Sequence, residues 1–263
     1  MDRKAKYALV TGASSGIGWH ITKELAARGY NIVAVSNQPD LLQKLKLAME
    51  HAYSISVIVL EVNLARAESA KEVFDFCESQ QLDVEILVNN AGMLIFGEAV
   101  DVPFEKVNTV LQLHMVTPTL LCRLFGKQMM TKKKGHILNV GSLSAVMPYP
   151  IISYYGPTKT FIRMFSRALR TELKPHNVQV TCLLPGATAT ELYDAQKIDI
   201  NLGVKLGIMK KPESVAKAGV EALIKGDAEC VPGLMNKTVM LLIPIIPTFM
   251  IGWIYALYLR KNK

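Results

Sequence analysis

The sequence has no run of basic residues longer than the three lysines Lys132–Lys134, and those adjoin Gly135 as a solvated loop would. It also has no zinc-finger spacing and no recognisable nucleic-acid-binding module. These absences exclude nucleic acid as the partner behind the net charge of +8, and leave an anionic cofactor or an anionic membrane surface. Cysteine is scarce: Cys77, Cys122, Cys182 and Cys230 lie far apart, with no CxxC pair. That spacing argues against a disulfide framework or a metal centre and for reduced thiols in a cytoplasmic setting. The opening residues, MDRKAKYALVTG, are charged and then strand-like, unlike a secretory signal. No repeat, low-complexity run or linker interrupts the chain before residue 237. From Thr238 to Leu259, by contrast, no charged residue occurs at all.

Half of the 263 residues are hydrophobic, enough for one large core. The runs YALV (7–10), NIVAV (31–35), ISVIVL (55–60), EILVN (85–89), HILNV (136–140) and VQVTCLL (178–184) are short, apolar and rich in β-branched residues. Segments of helical periodicity lie between them, such as 18–29 and 67–79, and the longer gap from 103 to 130 reads as one or two helices. Such strands, separated by helix-length segments, predict a parallel sheet covered by helices. Residues 186–211 show no clear periodicity and are the candidate lid or substrate loop.

TGASSGIG (11–18) ends the first strand and opens the first helix. Gly12, Gly16 and Gly18 allow a tight turn, close approach to a ligand and close packing of helix on strand. The backbone N–H groups from Ser14 and Ser15 to Ile17 then suit a pyrophosphate. At the end of the second strand, Ser36 and Asn37 stand where an acidic residue would hold an adenosine ribose and exclude a 2′-phosphate. This favours NADP(H) over NAD(H). Asp40, after Pro39, reads as a helix-start residue.

The stretch YYGPTK (154–159) offers two tyrosines to one lysine. If 153–173 is a helix capped by Ser153, Tyr155 and Lys159 share a face at i,i+4, and Tyr154 points about 100° away. An ammonium beside a phenol favours phenolate, so Tyr155 is the candidate general acid/base for an alcohol/carbonyl pair.

Together TGASSGIG, NNAG (89–92), Ser142 thirteen residues before Tyr155, YGPTK (155–159) and PGATAT (185–190) resemble the short-chain dehydrogenase/reductase family, over roughly residues 5–235. The resemblance implies an α/β fold: a single Rossmann-type, doubly wound domain with a parallel sheet of about seven strands and helices on both faces. It implies hydride transfer between NAD(P)(H) and a carbonyl/alcohol pair, and a homodimer or homotetramer. Carried over by position, Tyr155 is the acid/base, Lys159 lowers its pKa and holds the nicotinamide ribose, and Ser142 binds the substrate oxygen. Ser144, at a different interval, is ranked a pocket residue. Asn63 and the turn of Asn89, Asn90, Ala91 and Gly92 fall on the adenine side, with Asn90 also a candidate structural tie between strands; Pro185, Gly186 and Thr190 fall on the nicotinamide side. One position departs from the family: an Asn twenty-two residues past Gly92 is here His114, which either serves the same proton relay or is a passive helix residue.

Residues 1–237 are thus expected to form the catalytic domain and 238–263 an apolar tail. The tail, with Trp253, Tyr255, Tyr258 and then Arg260, Lys261 and Lys263, either associates with a membrane or walls the pocket, and Pro244 and Pro247 argue against one straight spanning helix. Both alternatives point to a lipophilic substrate, a long-chain keto lipid or a sterol. The rival expectations are a soluble dehydrogenase of a small alcohol or sugar, and a catalytically silent NADP(H)-binding sensor or membrane partner.

Overall fold

The computed structural model describes residues 5–190 and 209–261. Seven parallel strands form one sheet: β1 (Lys6–Thr11), β2 (Asn31–Ser36), β3 (Val57–Glu61), β4 (Asp83–Asn89), β5 (Gly135–Val140), β6 (Val178–Leu183) and β7 (Glu229–Cys230). Their order is β3-β2-β1-β4-β5-β6-β7, so the winding reverses between β1 and β4. Open α/β sheets bind ligands at such a switch point, beyond the carboxyl ends of the strands.

Alternate residues of each strand serve opposite faces. Ala8 and Val10 of β1 pack with α1 (Gly16–Ala26), α2 (Pro39–Ala52) and α7 (Pro212–Lys225). Leu9 between them packs with α3 (Ser69–Ser79), α5 (Thr117–Lys132) and α6 (Tyr155–Leu173). Phe125 on α5 is fully buried and meets Phe74 edge-on at 5.1 Å. Burial of such a ring contributes about 1.5–3 kcal/mol. All six sequence-predicted strands are present, and the two-residue β7 completes the sheet. The gap from 103 to 130 holds α4 (Phe104–Leu111), a π-helical turn (Gln112–Val116) and α5. Asp40 lies in the first turn of α2, behind Pro39.

Three expectations need revision or fall elsewhere. Ser153 does not cap α6, because Tyr154 occupies that position in helical conformation without a side-chain cap. The Ile152 carbonyl instead accepts the N–H groups of Tyr155 (3.0 Å) and Gly156 (3.1 Å), an entry set up by Ile151 at φ 65°. That left-handed conformation is strained for a β-branched residue. The uncharged stretch is broken into α8 (Leu234–Leu242), a 3₁₀ turn (Ile243–Ile245) and α9 (Thr248–Lys261); α8 runs through residue 237. Among the described residues, no helix is long and apolar enough to cross a membrane. Most of the candidate lid, residues 191–208, lies outside the described residues.

Candidate active site

A cleft of about 720 Å³ opens at the carboxyl ends of the strands. It is lined by Gly12, Ser14, Ser15, Gly16 and Ile17 from the glycine turn, by Ser36, Asn37 and Asn63, by Asn90, Ala91 and Gly92, by Ser142, Tyr155 and Lys159, and by Pro185, Gly186 and Thr190. Residues from seven separated stretches of chain thus converge on one surface. Of the candidates, Gly18, His114 and the expected pocket residue Ser144 lie outside this lining. Gly18 lies beneath the turn, where a Cβ would come within 2.0 Å of the Gly12 carbonyl oxygen, so its hydrogen is what lets α1 pack there.

The cradle fits a dinucleotide on its own geometry. Gly12 holds φ 61°, and a Cβ there would lie 2.8 Å from the Ala91 Cα. The turn is tied to β4: the Thr11 hydroxyl accepts the N–H groups of Asn90 (2.9 Å) and Ala91 (3.1 Å), and the Asn90 Nδ2 donates to the carbonyls of Thr11 and Gly12 at 3.0 Å. Asn90 therefore braces the floor of the cleft as well as lining it. Asn89 faces the interior instead, donating to the Asn139 Oδ1 at 2.8 Å, while Asn139 donates to the Ser166 Oγ at 2.9 Å. This buried chain joins β4, β5 and α6 and fixes the helix that carries Tyr155. Across the turn, a Cβ at Gly16 would approach the Thr190 methyl to 3.2 Å, so the 185–190 loop closes against the glycine turn.

At the end of β2, the Ser14 Oγ lies 2.9 Å from the Ser36 Oγ and donates to the Gln38 Oε1 at 2.7 Å. Asn37 is exposed beside them. Gln38 and Thr188 line the cleft and were missed from sequence. Gln38 sits in the loop between β2 and α2, and only its long-range contact with Ser14 marks it. Asn63 is held by the Ala65 N–H, donated to its Oδ1 at 3.0 Å.

The two tyrosines part company in the fold. The Tyr154 hydroxyl donates to the Ala99 carbonyl at 2.9 Å and is thereby committed to holding a loop. Tyr155 lines the cleft, with the Lys159 Nζ 5.6 Å from its ring centroid. Lys159 is buried and donates to the Val140 carbonyl at 3.0 Å; burial pulls its pKa from 10.5 down to about 8. The Ser142 Oγ accepts the Ser144 N–H at 3.1 Å, which leaves its own hydrogen to donate elsewhere. Ser144 is absent from the cleft lining, and its buried hydroxyl has no hydrogen-bond partner among the described residues. It lies inside the 3₁₀ turn Leu143–Val146, which Ser142 caps.

His114 occupies the middle of the π-helical turn and is buried. The Met93 N–H donates to its Nε2 at 3.0 Å, so the ring proton belongs on Nδ1, which lies 3.0 Å from the Thr158 Oγ1. Thr158 in turn donates to the Tyr155 carbonyl at 2.8 Å. Burial first, and the nearby Lys159 second, hold the imidazole pKa well below 6.5. The neutral ring thereby links the 90–94 loop to the helix of Tyr155.

Residues 6–200 match the family model described as short chain dehydrogenase. An uncharacterised short-chain type dehydrogenase/reductase of Sinorhizobium fredii is 35% identical over 187 residues, 71% of each chain. The very-long-chain 3-oxoacyl-CoA reductase-B of Danio rerio is 30% identical across 75% of this chain, and the 17-beta-hydroxysteroid dehydrogenase type 3 of Homo sapiens is 30% identical across 71%. The matches span only 64% and 60% of those two proteins' own lengths. Among solved structures, a short-chain dehydrogenase from Sphingobium yanoikuyae in complex with NADPH superposes with a TM-score of 0.80 at 27% identity, covering 92% of this chain and 96% of the other. L-sorbose reductase from Gluconobacter frateurii, complexed with NADPH and L-sorbose, gives 0.76 at 27% identity, covering 84% and 90%. A glycine cradle at the switch point, a tyrosine over a buried lysine and these matches lead to one conclusion: this chain belongs to the short-chain dehydrogenase/reductase family and is an NAD(P)-dependent oxidoreductase.

Proposed function

We propose that the chain reduces the keto group of a lipophilic substrate, a long-chain keto lipid or a sterol-like ketone, with NADPH as the donor. The observation that carries the chemistry is the convergence of Ser142, Tyr155 and Lys159 in the lining of one cleft, with the Lys159 Nζ 5.6 Å from the Tyr155 ring centroid. Ser142, its oxygen held by the Ser144 N–H, donates its hydrogen to the substrate carbonyl oxygen and polarises it. Tyr155 delivers its proton to that oxygen as the carbonyl carbon becomes tetrahedral. The Lys159 ammonium stabilises the phenolate left behind. When bound, the nicotinamide supplies the hydride that the carbon gains, and in the oxidative direction it accepts one. Gly12, Ser14–Ile17 and the 185–190 loop would hold the dinucleotide, and Lys159 its nicotinamide ribose.

Two features support the finer reading. No carboxylate stands at Ser36, Asn37 or Gln38, so a 2′-phosphate meets hydroxyl and amide groups there without repulsion. The Danio rerio and Homo sapiens relatives bear names that specify acyl-CoA and steroid substrates. We read residues 1–237 as the catalytic unit, with α8 continuing across that boundary into the tail, and His114 as a positioning link between the cofactor loop and the tyrosine helix. A panel of ketones of increasing chain length, assayed by NADPH and NADH absorbance in detergent, tests this reading. Rising kcat/KM with chain length and a preference for NADPH are expected; turnover confined to small sugars or alcohols would overturn it.

A further inference from the structure

We propose that the segment from Leu234 through α9 is a docking surface for an anionic lipid membrane, and that it lies in the headgroup layer instead of crossing it. Exposed apolar side chains occur elsewhere, as at Val100 and Phe104, but here they recur along one stretch: Leu234 is 81% exposed, Leu241 74%, Ile245 74%, Phe249 76% and Trp253 64%. A contiguous stretch of this kind marks an interaction surface. Its charge says which kind. From residue 230 onward the chain has no Asp or Glu, and its only charged side chains are Lys237, Arg260, Lys261 and Lys263. Apolar and aromatic residues bracketed by cations alone match the acyl boundary and the anionic headgroups of a lipid leaflet. A second protein copy would have to bring acidic residues from elsewhere to meet them.

The geometry fixes the mode. Pro244 and Pro247 divide the segment into α8, with nine residues, and α9, with fourteen. At 1.5 Å per residue these are about 14 and 21 Å long, short of the roughly 30 Å of a hydrocarbon core. α8 is also seated on the catalytic machinery. The Asn236 Oδ1 lies where a Cβ on Gly186 would meet it at 2.6 Å, and Met240 packs with Ala145 and Leu184. The lipid-facing segment therefore abuts both the 185–190 loop and the turn that carries Ser142. If the substrate is a lipophilic ketone, as proposed above, docking brings the bilayer that dissolves it alongside these loops.

Flotation of the full chain with vesicles of phosphatidylcholine, alone or mixed with phosphatidylserine, tests the surface without nucleotide or substrate. The chain should float with the mixed vesicles, less with phosphatidylcholine alone, and less at high salt. Tryptophan emission should shift to shorter wavelength on binding, and that shift should vanish in Trp253→Ser. Phe249→Ser or Ile245→Ser should lower partitioning about tenfold or more, and Lys237→Gln should weaken binding to the anionic vesicles about fivefold. These side chains contribute little to the core, so the variants should keep their melting temperature and their turnover of a short soluble ketone. No flotation with either vesicle, or flotation unchanged by Phe249→Ser and Trp253→Ser, overturns the proposal. So does a dimer that these substitutions dissociate while vesicles go unbound. A chain that floats but reduces no ketone supports the docking surface and overturns the substrate reading instead.

Discussion

Lys159 should make the protein less stable than it would be with an apolar side chain there, and pH should reveal by how much. The ammonium is buried, and its pKa falls from 10.5 to about 8, chiefly by desolvation. Below pH 8 the lysine is charged in both folded and unfolded chains, so the folded state bears the full penalty. Between about 8 and 10.5 the folded chain gives up its proton first, and stability rises with pH by about 1.4 kcal/mol per pH unit from this group. The penalty near pH 7 is therefore about 3 kcal/mol. Lys159→Met removes it but also strips the Val140 carbonyl of its donor, a loss of about 1–3 kcal/mol. At pH 7 the variant should match the wild type or exceed it by up to about 2 kcal/mol, and its turnover should collapse. Above pH 10 the order should reverse, because only the lost hydrogen bond remains. Urea or thermal melts of both proteins from pH 7 to 10.5, without nucleotide, measure the difference. About 2–4 °C in Tm accompanies each kcal/mol in a domain near this size. A stability difference that does not change with pH would refute the burial argument.

Tyr155→Phe should reduce turnover by about two orders of magnitude or more while sparing nucleotide binding. Tyr154→Phe removes only the bond to the Ala99 carbonyl and should be mild; the reverse order in steady-state kinetics would unseat the assignment. Asn37→Asp should move the kcat/KM preference toward NADH by setting a carboxylate beside the 2′-phosphate, and a wild type that already prefers NADH would contradict the reading of β2's end. His114→Leu leaves the Met93 N–H and Thr158 without their buried partner and should lower both stability and activity, whereas His114→Asn, which still offers an acceptor, should retain much of each. Because the ring stays neutral, no inflection near pH 6.5 in wild-type kcat/KM should be lost in His114→Asn; activity of His114→Leu equal to wild type would reduce the residue to packing.

Local pattern alone gave the strands, the glycine cradle and the Tyr155–Lys159 pairing, because each rests on spacing within a few residues. Short β-branched runs separated by helix-length segments bury both faces in a helix-covered parallel sheet, and i,i+4 places a lysine beside a tyrosine in any helix. The start of α6 was misjudged because Ile151, at φ 65°, lets the Ile152 carbonyl do the work expected of Ser153. That turn is held from fifty-four residues away by Gly97, whose N–H donates to the Ile151 carbonyl. Tyr154 is likewise committed to Ala99, and the tautomer of His114 is set by Met93. The sequence by itself determined in which elements the candidate residues sit and that Tyr155 and Lys159 share a helix face. The tertiary structure alone decided which atoms were already committed to distant partners, how far burial depressed the lysine, and that α8 abuts Gly186, because hydrogen bonds and desolvation between remote segments exist only once the sheet has brought them together.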